Sequence, residues 1–280
     1  MNITPLTAHT GSEITGLDLS KPIDDATRVE LRKAFAERHV LAFRDQSLAP
    51  DEFLNAGRIF GDIMPQQVVR FTLSDHPLVG FVSSEDTDKP GGVRLVRGEQ
   101  FHTDHSNFLA PPMATSLKAI TLPSEGGDTR FVNMHQSYDD LPEDLKKKID
   151  PLRALHVFKS SRSPRKKVEL TEEERKKIPE TIQPLVLVHP DNGRKAAYLN
   201  TAHIERIIDM DDTEAFALIE QLMEHSTKSK YEYRHVWRPN DMVIWDNRSL
   251  MHSATADYAP TEKRYLYRLM VAGSPLKSAA

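Results

Sequence analysis

Strand-length segments dominate the second half of this chain, and they narrow the folds it can reach. Tyr231–Val236, Met242–Trp245 and Tyr265–Val271 each have the length of a strand. Upstream, Thr115–Leu122 and Asp128–Asn133 form a further pair around the turn Pro123-Ser124-Glu125-Gly126-Gly127. Two more strands are expected near 183–189 and 195–199, and Val40–Phe43 is an early, isolated one. Helical patterns fall at 25–38, 50–60, 142–149 and 212–225. The helices come early or as insertions, and there is no regular strand–helix alternation. That order predicts an α+β domain built on an antiparallel sandwich or barrel. No internal repeat or linker interrupts it, so residues 1–280 read as a single domain.

The bulk numbers exclude several function classes. The net charge is -4, which argues against a nucleic-acid partner. There are no cysteines, so thiolate metal sites, iron–sulfur clusters, cysteine nucleophiles and disulfides are ruled out. No stretch reaches the ~20 apolar residues of a membrane span, and Met1–Ser20 lacks the pattern of a signal peptide. The expectation is a cytoplasmic protein without a membrane partner. Residues 84–100 and 159–181 are polar and charged, and both read as lid-like excursions. The second can also be read as an exposed helix after Thr171.

Of the 12 histidines, nine (all but His102, His105 and His252) read as structural or surface residues. The segment Phe101-His102-Thr103-Asp104-His105 differs. In an extended strand, residues i and i+2 face the same way, so His102 and Asp104 would present an imidazole and a carboxylate together. That pair is two thirds of the 2-His-1-carboxylate set that leaves open positions on iron(II). His105 would face the other way and is not counted as a ligand. One H-x-D triplet is a weak signal, and a third ligand must come from elsewhere. The best context is Asp241–His252, where an apolar strand ends in a polar turn before His252. Further on, Arg264 and Arg268 lie an even number of residues apart and therefore share one strand face. A guanidinium near such a site can grip a carboxylate with two hydrogen bonds.

Taken together these segments resemble the TauD/TfdA family, the taurine and 2,4-dichlorophenoxyacetate dioxygenases. FHTDHSNFLAPP, LPSEGGDTRFVN, WDNRSLMHSATADY and KRYLYRLM carry the likeness in order, and GSEITGLDLSKPI and VLAFRDQ extend it over nearly the whole chain. The resemblance implies a double-stranded β-helix (jelly roll) core with helical insertions, around one iron. It implies His102, Asp104 and His252 as Fe(II) ligands, and Thr129 and Arg264 as the contacts of 2-oxoglutarate. Arg268 matches the arginine that meets the acid group of anionic substrates, and Trp245 an aromatic residue near the site. Gln66 stands where the taurine enzyme has a substrate-binding histidine, and Gly98 where it has an asparagine, so taurine itself is not the expected substrate.

The implied reaction consumes O2 and 2-oxoglutarate, releases succinate and CO2, and oxidises a small anionic molecule, with a carboxylate favoured and an organosulfonate as the alternative. Asp104 argues against a halogenase, in which a small residue replaces the carboxylate. Two competing classes remain at this point: a zinc hydrolase or isomerase on the same ligands, and a catalytically silent binding protein. Family members are commonly dimers or tetramers, which makes a homo-oligomer part of the expectation.

Overall fold

The computed structural model describes residues 1–87, 98–163, 171–176 and 178–280. Its largest element is an eight-stranded sheet. In spatial order the strands are Asn2–Pro5, Ser12–Thr15, Val40–Phe43, Met242–Asp246, Ala114–Thr121, Tyr265–Val271, His76–Ser83 and Thr72–Leu73. All neighbours are antiparallel except Ser12–Thr15 against Val40–Phe43. A three-stranded antiparallel sheet, Glu232–His235, Thr129–Asn133 and Leu250–Ala254, lies against it.

The alternation of side chains along the central strands explains how three layers form. Val40, Ala42, Val243, Trp245, Leu117 and Leu266 point to one side of the large sheet. There they meet Phe131, Tyr233 and Leu250 of the small sheet in one buried cluster. Leu41, Phe43, Met242, Ile244, Leu269 and Val271 point to the other side. That side is covered by helices Asp25–Arg38 and Pro50–Arg58 through Leu31, Phe35, Phe53 and Ala56. The two central strands are thus buried on both faces, and for that reason they read as continuous apolar runs. The outer face of the small sheet gives Val132 and Met251 to a third cluster, which the helix Asp212–Ser226 closes with Leu218, Ile219 and Leu222.

Most expected elements are present with small shifts at their ends. Asp24 accepts the backbone N–H of Thr27 and starts the first helix, and Asp211 does the same for the helix Asp212–Ser226. The H-x-D segment departs from expectation. His102 makes one isolated bridge and the chain then turns at Asp104, so the segment is no regular strand. The lids expected over 84–100 and 159–181 fall in part on residues 88–97, 164–170 and 177, which lie outside the described residues. Glu172–Lys176 is helical, as the second reading of that segment had it. Among the described residues no helix is long and apolar enough to cross a membrane.

Several histidines outside the H-x-D segment are deep in the protein. His135 packs against His39 and His189, with ring centroids 5.0 Å and 5.6 Å apart, the second pair edge to face. His189 donates to Asp246, and Arg248 grips the same carboxylate. Burial pushes His39 down to about 3, His135 to about 4 and His156 to about 3. These rings stay neutral in the folded chain, while in the unfolded chain they take up protons near their ordinary pKa. Stability from their burial is therefore full above about pH 6.5 and is lost as pH falls towards 4, by about 1.4 kcal/mol per pH unit for each ring. Urea melts of the metal-free protein between pH 7.5 and 5 should show a falling midpoint, and His39→Asn should make the fall shallower. A midpoint constant over that range in both proteins contradicts this account.

Candidate active site

Backbone pairing brings the two distant histidines together. The N–H of His102 donates to the carbonyl of His252 (3.0 Å), and that of His252 donates back to His102 (2.8 Å). This reciprocal bridge sets the rings side by side, with centroids 4.2 Å apart. The turn after His102 carries Asp104 to the same place. Its Oδ1 lies 3.8 Å from His102 Nε2 and its Oδ2 3.8 Å from His252 Nε2. One ligand atom from each of the three buried residues lies within 4.8 Å of the others. His102 Nδ1 donates to the carbonyl of Gln100 (2.8 Å), which leaves the lone pair on Nε2 facing the group.

Electrostatics suit a cation here. Burial is the largest influence on Asp104 and opposes its charge, but His252, His102 and Arg268 together outweigh it and hold the carboxyl below its usual range. His105, at φ 44, is not in the group. Its Nδ1 lies 3.0 Å from Gln67 Oε1, and burial, then Arg268, push it down to about 4.

The trio lines a pocket between the two sheets, and the two-residue alternation decides what else faces it. Thr129, His252 and Ala254 come from the small sheet. Thr115, Leu117, Trp245, Arg268 and Val82 come from the large one, with Arg264 just before its strand. The two arginines do share one face, as their even spacing requires. Trp245 is both core and site: it is buried, its ring lies 4.6 Å from that of His252, and it lines the pocket.

Arg264 is nearly sealed from solvent, and burial pushes it down to about 10. Its Nε donates to the carbonyl of Gly127 (2.7 Å), while Nη2 is buried with no hydrogen-bond partner among the described residues. Gly127 has φ +69, and a Cβ there would stand 3.0 Å from Arg264 Cδ. Asp257 accepts the N–H of Gly127 (2.9 Å), and Arg234 ties Asp257 to Asp128, so the glycine turn under Arg264 is held from both sides. The hydroxyl of Thr129 accepts from Trp237 Nε1 (3.1 Å), which keeps its own hydrogen for another acceptor. A buried guanidinium nitrogen without a partner and a hydroxyl with a hydrogen to give fit an acid group such as the distal carboxylate of 2-oxoglutarate.

Arg268 is held differently. Gln66 Oε1 accepts from its Nε (3.2 Å) and Nη2 (2.7 Å). Gln66, expected to meet substrate, is thus engaged with the arginine expected to meet substrate. Asp246, which could in principle pair with Arg268, is instead bound by Arg248 and His189. Sequence reasoning missed the roles of Thr115, Asn247 and Trp237. Asn247 stood in the quoted WDNR segment, but nothing in the sequence named its contacts.

Similarity to known proteins runs along nearly the whole chain. Residues 2–270 match the family model described as "Taurine catabolism dioxygenase TauD, TfdA family". The chain is 33% identical over 272 residues to an alpha-ketoglutarate-dependent 2,4-dichlorophenoxyacetate dioxygenase of Burkholderia sp. (strain RASC), with 93% of this chain and 91% of that protein covered. It is 31% identical over 286 residues to the (S)-phenoxypropionate/alpha-ketoglutarate-dioxygenase of Sphingobium herbicidovorans, with coverage of 100% and 97%. The crystal structure of AAD-2 in complex with Mn(II) and N-oxalylglycine superposes with a TM-score of 0.83 at 28% identity, covering 100% of this chain and 99% of that one.

A three-residue metal site tolerates little loss. Mn(II) titration should show that His102→Ala, Asp104→Ala and His252→Ala each weaken binding by at least about tenfold, while His105→Ala binds as the parent does. Parent-like affinity in Asp104→Ala would contradict the assignment.

Proposed function

Because the chain belongs to the TauD/TfdA family, we propose that its pocket oxidises a small organic anion, with a carboxylate favoured, on an iron held by His102, Asp104 and His252. The chain is a 2-oxoglutarate-dependent dioxygenase that uses Fe(II), O2 and 2-oxoglutarate. This disposes of the hydrolase and silent-binder readings. When bound, the iron supplies coordination of 2-oxoglutarate and activation of O2, and the co-substrate leaves as succinate and CO2.

The observation that carries the substrate class is the presence of two arginines, Arg264 buried and Arg268 half-buried, in one pocket beside the His–Asp–His trio. One site needs one cation for the distal carboxylate of 2-oxoglutarate, and Arg264 with Thr129 fits it. The second, Arg268, hydrogen-bonds the uncharged Gln66 oxygen, has Asp104 and Asp86 as its nearby carboxylates, and lines the pocket wall, where it can meet a substrate anion. Leu117, Val82, Trp245 and Ala254 supply apolar wall between the charged groups. They favour an acid with an apolar or aromatic body, such as an aryloxyalkanoate, and the relatives named for phenoxy acids support the same choice.

In this reading His102 Nε2, Asp104 and His252 Nε2 bind the metal, and the Gln100 carbonyl fixes the His102 tautomer. Arg264 and Thr129 orient the co-substrate, and Arg268 orients the substrate. The packed sheets keep bulk water from the reacting groups. The two sheets form the jelly roll that the family resemblance implies, as one domain. A cytoplasmic location belongs to the same reading, since 2-oxoglutarate is a metabolite of that compartment.

Two outcomes test the division of labour between the arginines. Arg264→Ala should raise the 2-oxoglutarate requirement roughly ten- to a hundredfold, the worth of a charge-assisted pair, and Thr129→Ala should raise it less. An unchanged requirement in Arg264→Ala removes that assignment. Separately, succinate release should be screened with 2,4-dichlorophenoxyacetate, phenoxypropionate, alkylsulfonates and neutral aryl ethers. Arg268→Met should raise KM for the preferred anion by roughly tenfold or more while sparing 2-oxoglutarate. Equal turnover of neutral substrates by parent and variant would remove the anion from the proposal.

A further inference from the structure

We propose that Thr115, Asn247 and Trp245 form a directional hydrogen-bond relay that positions the Asp104 carboxylate for the metal. Thr115 Oγ1 lies 2.6 Å from Asp104 Oδ2 and 3.0 Å from Asn247 Nδ2. An amide nitrogen only donates, so Asn247 occupies an acceptor site of the hydroxyl and sends the hydroxyl hydrogen to the carboxylate. The amide has one orientation because the indole of Trp245 also only donates, and Asn247 Oδ1 accepts from its Nε1 at 3.1 Å.

Other bonds clamp the amide residue. Nδ2 of Asn247 also donates to the carbonyl of Pro112 (3.3 Å), and its backbone N–H donates to Met113 (2.9 Å). Its carbonyl accepts from the hydroxyl of Thr103 (2.8 Å), the residue between the two ligands of the H-x-D segment. Asn247, Thr115, Thr103 and Trp245 are all buried, so water does not compete for these bonds. Thr115 and Trp245 are direct cross-strand partners in the large sheet. The relay therefore fastens a carboxylate on an irregular turn to the most regular element of the fold, and its far end, Trp245, packs on His252.

The proposal rests on the reading of His102, Asp104 and His252 as metal ligands. Partners of this kind around a metal ligand typically change affinity 10–100-fold when lost. The test is titration of the full chain with Mn(II) and Co(II), without 2-oxoglutarate, alongside circular dichroism to confirm the fold. Thr115→Val should bind about 10–100-fold more weakly, and Thr115→Ser should return to within about threefold of the parent. Asn247→Asp offers only acceptor oxygens to Thr115 and should draw the hydroxyl hydrogen away from Asp104, with a loss like that of Thr115→Val. The double variant should be about as weak as the weaker single one, because both break the same chain.

Parent-like or tighter binding by Thr115→Val overturns the proposal. So does Thr115→Ser binding as weakly as Thr115→Val, or a double variant whose loss is the product of the two single losses. Failure of the underlying metal reading looks different: Asp104→Ala would bind Mn(II) as well as the parent, and the relay would fall with it.

Discussion

Burial of the strands Val40–Phe43 and Met242–Asp246 on both faces is the constraint from which the rest follows. One face must be covered by helices and the other by a second sheet, because neither can be left in water. That requirement creates the gap between the sheets, and it aims alternate residues into the gap. Trp245 enters it by the same parity as Val243, and Arg268 by the same parity as Leu266. The pocket is thus one end of the inter-sheet core, where polar side chains take the inward positions that apolar ones fill elsewhere.

The metal group depends on a contact that spans most of the chain. His102 and His252 meet through two backbone hydrogen bonds, and Asp104 joins them from the turn that follows His102. A donor set of this kind exists only once the sheets have closed. On the proposed assignment, metal affinity and folding free energy are linked, and a divalent ion bound by the trio would add to the stability of the closed form.

Much of this was legible in the sequence, for identifiable reasons. The first helix is bounded by a capping aspartate, and Pro50 opens the second, so both were placed by local signals. The trio and Arg264 were legible through short motifs whose chemistry is local. The strand His76–Ser83 was not read, because Pro77 and Gly80 within it look like breakers. The H-x-D segment was read as a strand because parity gives the right facing. In fact a single bridge and a turn produce it. Thr115 and Asn247 were out of reach for a different reason: they lie 132 residues apart and only sheet register joins them. Trp237 escaped similarly, since its bond to Thr129 crosses 108 residues.

Gly80 carries a consequence for how the pocket can change over time. It sits opposite Arg268 in the sheet, and a Cβ on it would stand 2.7 Å from Gln66 Oε1. A side chain at position 80 would push the Gln66 amide aside and weaken its hold on Arg268. A different residue at 66, smaller or swung aside, could make the same change at 80 harmless. Positions 66, 80 and 268 are thus coupled, so a change at one alters what the other two can hold.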